Sequence, residues 1–166
     1  KIQFAGVGGP AMEAQGLESL FPMNDLAVMG LVEIVPPLPR LIGRLRDTVA
    51  AVARLKPCVV ITIDSPGFSL RVSERVRRLG IRTIQYVAPQ LWAWHPERGK
   101  KLISQVDHLL ALLPFEPQFF SQFKVDCTFV GHPIIESGVQ CGDGVAFRMR
   151  HGIEPKSPIV VAMPGS

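Results

Sequence analysis

The chain has 166 residues, 47% hydrophobic and 19% charged, which suits one packed domain and excludes a disordered tail. Fifteen glycines and fifteen prolines are scattered without a repeat, so the chain is neither collagen-like nor a linker. Eighteen Lys and Arg against fourteen Asp and Glu give a net charge of +4, a mild bias toward anionic partners that names none of them.

The chain opens on Lys1, and Ile2–Gly6 reads as a strand already under way. Ile159–Met163 starts another that runs into Pro164-Gly165-Ser166, a loop opening. Both ends therefore read as cuts inside a larger α/β protein, because terminal apolar strands leave edges that proteins usually cover. Between them lie four further strand candidates, Cys58–Ile63, Arg82–Val87, His108–Leu112 and Cys127–Val130. They are short and continuously apolar, as in a parallel sheet buried on both faces.

Helical patterns alternate with these runs. Pro10–Gln15 opens on a proline at its first position. Leu41, Leu45, Val49, Val52 and Leu55 form one stripe of a helix over about Arg40–Leu55. Val72, Val76 and Leu79 mark another, closed by Gly80 as a left-handed cap. Pro96 opens a basic helix through Ile103, Glu116–Phe123 is aromatic, and Asp143–His151 ends at Gly152. The alternation predicts a doubly wound parallel sheet with right-handed crossovers.

In such sheets ligands bind beyond the carboxyl ends of the strands. The segments that follow the predicted strands are Gly6-Val7-Gly8-Gly9-Pro10, Asp64-Ser65-Pro66-Gly67-Phe68, Ala88-Pro89-Gln90-Leu91-Trp92-Ala93-Trp94, Pro114-Phe115-Glu116 and Gly131-His132-Pro133. Glycine, proline, both tryptophans and single ionisable groups gather at that edge. The opposite edge carries plainer turns such as Leu55-Lys56-Pro57. Asp64 leaves a buried strand there, and partial burial would tune it as a general base. It reads equally as a helix N-cap or turn aspartate. Trp92 and Trp94, if extended, share a side suited to a sugar face or an acyl chain, or they pin the loop as a small cluster. Gly8 and Gly9 offer a floor for a sugar or phosphate, or simply a tight turn. Gly6-x-Gly8-x-x-Ala11 with Asp25 is a loose dinucleotide fingerprint, lacking a second strand that ends at the acid. His132 could contact a phosphate or orient a base, or bind its own backbone.

Leu26–Leu45 is rich in apolar residues, but its three prolines prevent a continuous spanning helix. With Arg40, Arg44 and Arg46 beside it, the stretch reads as an interfacial insertion, with Val32, Ile34, Val35, Leu38, Leu41 and Ile42 contacting membrane. Packing on the sheet as core is the alternative. Three cysteines without a CxxC support neither a disulfide framework nor a zinc site and point to a reducing compartment. There is no Asp-x-Asp pair for a metal-bound nucleotide, no Walker loop and no Gly-x-Ser-x-Gly elbow.

Several blocks taken together resemble lipid-A-disaccharide synthases. They are Gly6-Val7-Gly8-Gly9-Pro10-Ala11-Met12, Leu26-Ala27-Val28-Met29-Gly30-Leu31-Val32-Glu33, Ile63-Asp64-Ser65-Pro66-x-Phe68, Tyr86-Val87-Ala88-Pro89-x-x-Trp92-Ala93-Trp94, Leu113-Pro114-Phe115-Glu116 and Phe129-Val130-Gly131-His132-Pro133. The resemblance implies a GT-B-like glycosyltransferase of two Rossmann-like halves around a cleft. Residues 1–152 would be the acceptor half, incomplete at its start, and 153–166 the first strand and loop of the UDP-binding half. It implies inverting transfer of 2,3-diacylglucosamine from its UDP-sugar to the 6-hydroxyl of 2,3-diacylglucosamine 1-phosphate (lipid X). Asp64 would be the base, and Gly8, Gly9, Pro89, Trp92, Trp94, Glu116 and His132 would contact substrate. No metal or other cofactor is expected. The location implied is the cytoplasmic face of the inner membrane, held peripherally, with no nucleic-acid partner. The chain alone is expected to be inactive. The rivals are another two-half sugar-nucleotide enzyme, such as an epimerase or a cell-wall glycosyltransferase, and a non-catalytic NAD- or lipid-binding module.

Overall fold

A computed structural model describes residues 2–26, 38–94, 97, 99–138 and 141–163. These residues fall into two compact units, one ending at Gly131 and one starting at His132.

In the first unit, a short helix α1 (Pro10–Glu13) is followed by a 3₁₀ turn (Met23–Leu26) and the long helix α2 (Leu38–Leu55). Strand β1 (Val59–Ile63), helix α3 (Pro66–Arg77) and strand β2 (Arg82–Tyr86) come next. Then follow α4 (Leu91–Trp94), α5 (Gly99–Gln105), β3 (His108–Ala111), α6 (Glu116–Ser121) and β4 (Asp126–Phe129). The second unit holds a 3₁₀ turn (Pro133–Glu136) and α7 (Gly144–Arg150), which the Asp143 carboxylate caps through Val145 N–H and Ala146 N–H.

The four strands pair in parallel in the order β1-β2-β3-β4, with Ile63 beside Tyr86 and Tyr86 beside Leu110. The α/β alternation predicted from hydrophobic runs is therefore the observed architecture, with strand boundaries displaced by a residue at most. Gly80 takes φ +77°, the left-handed conformation expected of it after α3.

A sequential strand order with right-handed crossovers puts every connecting helix on one face of the sheet. That face is closed by two clusters. Leu70, Leu102, Leu109, Ala111 and Phe120 form one, and Leu45 of α2 packs with Val72 and Val76 of α3 in the other. The stripe predicted for α2 is thus the stripe that packs, with Val49 and Val52 beside Leu45 and with Leu55 half exposed. The expectation that the strands are buried on both faces does not hold at β1. Ile61 and Ile63 point away from α3 and remain 54% and 50% exposed. The one-directional strand order leaves their face without a crossover helix.

Two predicted strands are absent. Residues 2–5 form no ladder among the described residues, and Ile2 and Phe4 are exposed; only Gly6 bridges Ser19. Ile159–Met163 likewise has no ladder, and Val160 is almost fully exposed. An apolar run becomes a strand only where a neighbour takes its N–H and C=O groups, and among the described residues neither run has a paired strand. The basic helix starts at Gly99, three residues later than expected, and Pro96 lies outside the described residues.

Candidate functional site

The parallel register brings the carboxyl ends of all four strands to one edge of the first unit, with neighbouring strands roughly 5 Å apart. Each ladder runs one residue past its strand there. Asp64 N–H donates to Tyr86 C=O at 3.0 Å, Val87 N–H to Leu110 C=O at 3.1 Å, and Val130 N–H to Ala111 C=O at 2.9 Å.

The backbone turns sharply at these exits. Asp64 and Ser65 have φ +49° and +43°, and Val87 has φ +69°. Left-handed backbone is uncommon for any residue with a side chain and is an outlier for a β-branched one. Each such residue costs on the order of 1–3 kcal/mol and persists only where its surroundings impose it. Here the two strained exits lie side by side on adjacent strands.

Asp64 is exposed, so the partial burial expected of it is not found; it follows the last residue of β1, where the chain opens onto solvent. Nor does it cap α3. The residue in the cap position is Ser65, with no side-chain cap bond, and Pro66 supplies the first turn. The Asp64 carboxylate has no hydrogen-bond partner among the described residues, which leaves both oxygens available to an incoming hydroxyl.

Beyond β2, Ala88 and Pro89 are buried and anchor the loop into α4. Trp92 is 37% exposed and stands edge-on to Phe115, ring centres 5.1 Å apart at 85°. Its indole N–H donates to Glu116 Oε1 at 3.3 Å. The expectation that Trp92 and Trp94 share a side required an extended loop. The segment is a helical turn, in which positions two apart stand about 200° round the axis. The Trp94 side chain lies outside the described residues.

Glu116, expected at the substrate, is only 3% exposed. Its Oε2 accepts from Leu113 N–H at 2.9 Å while Oε1 holds Trp92, so this carboxylate ties the β3 exit to the β2 exit. Its charge and, above all, burial push the neighbouring Cys127 thiol up to about 11.

Gly8 is buried, and a Cβ there would stand 2.6 Å from Leu17 Cδ2, so its bareness serves close packing. Its N–H donates to Ser19 Oγ at 3.2 Å. Gly9 precedes α1 as its cap residue. In the second unit, His132 Nδ1 accepts from Ile134 N–H at 3.1 Å, the backbone role weighed for it, and Nε2 has no partner among the described residues.

Of the expected membrane contacts, Val32, Ile34 and Val35 lie outside the described residues, as does the Leu38 side chain. Leu41 is half-buried and Ile42 is 42% exposed on the first turn of α2. The basic collar is partly neutralised. Arg44 Nη2 lies 2.7 Å from Asp25 Oδ2, Arg40 lies 3.6 Å from Asp25 Oδ1, and the Arg44 guanidinium stacks 4.7 Å over the Phe21 ring. The hydrogen bond to Asp25 raises the Arg44 pKa further above its ordinary value. Asp25 is thereby committed to arginine, which removes it as the ribose acid of a dinucleotide site; it also sits in a 3₁₀ turn, not at a strand end. No helix among the described residues is long and apolar enough to cross a membrane.

Sequence reasoning passed over Gln85, which is fully buried next to Asp64, and Phe115, the ring partner of Trp92. A signal for Gln85 existed: an amide inside an apolar strand must find internal partners or incur a desolvation cost.

A parallel sheet flanked by helices, with an exposed carboxylate and an aromatic loop at its carboxyl edge, makes the first unit an α/β domain of Rossmann-like type. The family model for lipid-A-disaccharide synthetase matches residues 1–166. The chain is 54% identical to the lipid-A-disaccharide synthase of Rhodospirillum centenum over 167 residues, covering 99% of this chain and 42% of that protein. It is 54% identical to that of Gluconobacter oxydans (99% of this chain, 40% of that protein) and 45% identical to that of Pseudomonas paraeruginosa (100% and 44%). The chain belongs to the lipid-A-disaccharide synthase family of lipid A biosynthesis, and spans less than half the length of these relatives.

Proposed function

We propose that this chain is the acceptor-binding half of a lipid-A-disaccharide synthase, with Asp64 as the general base. On this reading residues 1–152 form the acceptor half and 153–166 begin the UDP-binding half. The observation that carries the proposal is the Asp64 exit: an exposed carboxylate without a hydrogen-bond partner among the described residues, on strained backbone, beside the loop that presents Trp92.

The acceptor is 2,3-diacylglucosamine 1-phosphate and the donor is UDP-2,3-diacylglucosamine. The acceptor 6-hydroxyl oxygen forms a bond to the anomeric carbon of the donor on the face opposite UDP. The bond from that carbon to the phosphate oxygen breaks, and UDP leaves with its electron pair. Asp64 takes the hydroxyl proton, so the new β-1,6 ether forms without a charged oxygen. The exposed edge of Trp92 with Phe115 offers an apolar wall for a sugar face or the start of an acyl chain. Pro89 sets the loop, and Glu116 acts through Trp92. Gly9 and Trp94 line substrate in this reading. The segment from Leu26 to Leu45 meets the inner membrane from the cytoplasmic face, so that diacylated substrates reach the cleft without leaving the bilayer.

The test is Asp64→Asn in a complete synthase containing this segment. Turnover of UDP-diacylglucosamine with lipid X falls about a hundredfold or more while the unfolding midpoint stays put. A near-normal rate would remove Asp64 from the chemistry.

A further inference from the structure

Gln85 is fully buried in β2, one residue short of its carboxyl end, and its side chain joins both strained exits. Its Nε2 lies 3.1 Å from Asp64 C=O, 3.1 Å from Tyr86 C=O and 3.3 Å from Val87 C=O. Its Oε1 accepts from the Thr62 hydroxyl at 2.7 Å, and Ser73 Oγ stands 3.3 Å behind Thr62. Three carbonyls demand a donor, which turns Nε2 toward them and leaves Oε1 to the Thr62 hydroxyl, whose shortest bond it takes, ahead of Ile84 C=O at 3.3 Å. Two N–H bonds serve three oxygens, with one shared.

Neither Asp64 at φ +49° nor Val87 at φ +69° is in a conformation its own side chain favours. Gln85 grips a carbonyl belonging to each. The Asp64 carboxylate has no hydrogen-bond or ion-pair partner among the described residues, so the backbone at this exit sets its aim. We propose that Gln85 is a positioning residue: its amide locks the β1 and β2 exits together and thereby aims the Asp64 carboxylate at the acceptor relative to the Pro89–Trp92 loop. This rests on the reading of Asp64 as the base.

The chemistry selects the variants, made in a complete synthase containing this segment. Gln85→Met keeps the volume and removes the donors and the acceptor. Gln85→Glu keeps the shape, but its carboxyl can donate to a carbonyl only when protonated. Thr62→Val removes the hydroxyl that orients the amide with little change in volume. In Gln85→Met, kcat falls at least ~10-fold with acceptor KM within about threefold, as expected of a group acting on geometry in the transition state. In Gln85→Glu, the ratio of variant to wild-type kcat rises ~10-fold or more from pH 8.5 to pH 6, as the carboxyl regains its proton. Thr62→Val loses kcat several-fold. Hydrogen exchange in peptides covering 64–65 and 86–89 quickens in Gln85→Met relative to wild type, whatever substrate the enzyme takes.

A flat pH ratio, or wild-type kcat in Thr62→Val, overturns the proposal, even if Gln85→Met fails to fold. Wild-type enzyme that makes no disaccharide from the named substrates overturns the functional reading instead, and the exchange measurement then still judges the grip of Gln85 on the two exits.

Discussion

Glu116 provides the sharpest stability test of the site. Replacing it with Ala removes a charge-assisted bond to Leu113 N–H at 2.9 Å, which contributes roughly 1.5–3 kcal/mol, and a longer bond to the Trp92 indole at 3.3 Å, worth roughly 0.5 kcal/mol. Release from burying the carboxylate offsets part of this, so a net loss of about 1–3 kcal/mol is expected in urea unfolding followed by far-ultraviolet circular dichroism. If Glu116 acts through Trp92, Glu116→Ala and Trp92→Ala raise the acceptor KM by the same route. Their double-mutant cycle then shows a coupling of about 0.5 kcal/mol or more in kcat/KM. Glu116→Gln also relieves Cys127 of a neighbouring negative charge, so its thiol, held at about 11 mainly by burial, titrates lower and labels faster with maleimide at alkaline pH. Strictly additive effects of the two alanine substitutions would refute the tether and return Glu116 to an independent role.

Two further outcomes separate the site from its scaffold. At the opposite edge, Asp107 accepts from Thr83 N–H at 2.8 Å, Thr83 Oγ1 at 3.0 Å and Arg77 Nε at 2.8 Å. Burial opposes its ionisation, but the Thr83 hydrogen bonds and the Arg77 charge outweigh that and hold its carboxyl below the usual range. Its folded pKa is lowered, so its contribution is present above about pH 4 and fades as pH falls through the folded value. Asp107→Ala therefore costs about 1–2 kcal/mol at pH 7 after allowance for solvent screening, and less in acid, with kcat unchanged; a loss of kcat in a folded variant would contradict the division between edges. Replacing Val32, Ile34, Val35 and Leu38 together with Ser should release a complete synthase from anionic liposomes in a flotation assay, whereas unchanged binding would assign the segment to core packing.

Much of the fold is legible in the chain because hydrophobic patterning is local. Runs such as Val59–Ile63 and the Leu45-Val49-Val52 stripe declare strand and helix within a few residues of themselves. The exits follow from that alternation, which is why Asp64, Pro89, Trp92 and Glu116 could be assigned to one edge before any contact was known. The terminal runs show the limit of the same signal: Ile2–Gly6 has the composition of a strand but, among the described residues, pairs only through the single Gly6–Ser19 bridge.

What tertiary structure alone decided is how the polar groups are spent. Nothing near Gln85 in the chain says that its amide reaches Asp64, twenty-one positions away. Glu116 looks like a ligand and is buried as a tether; Arg44 looks like a membrane collar and is paired with Asp25. Burial of apolar residues is a sum over many weak contacts and tolerates small errors of placement. A hydrogen bond tolerates only a few tenths of an ångström, so its partner is known only once strand register has set the distance.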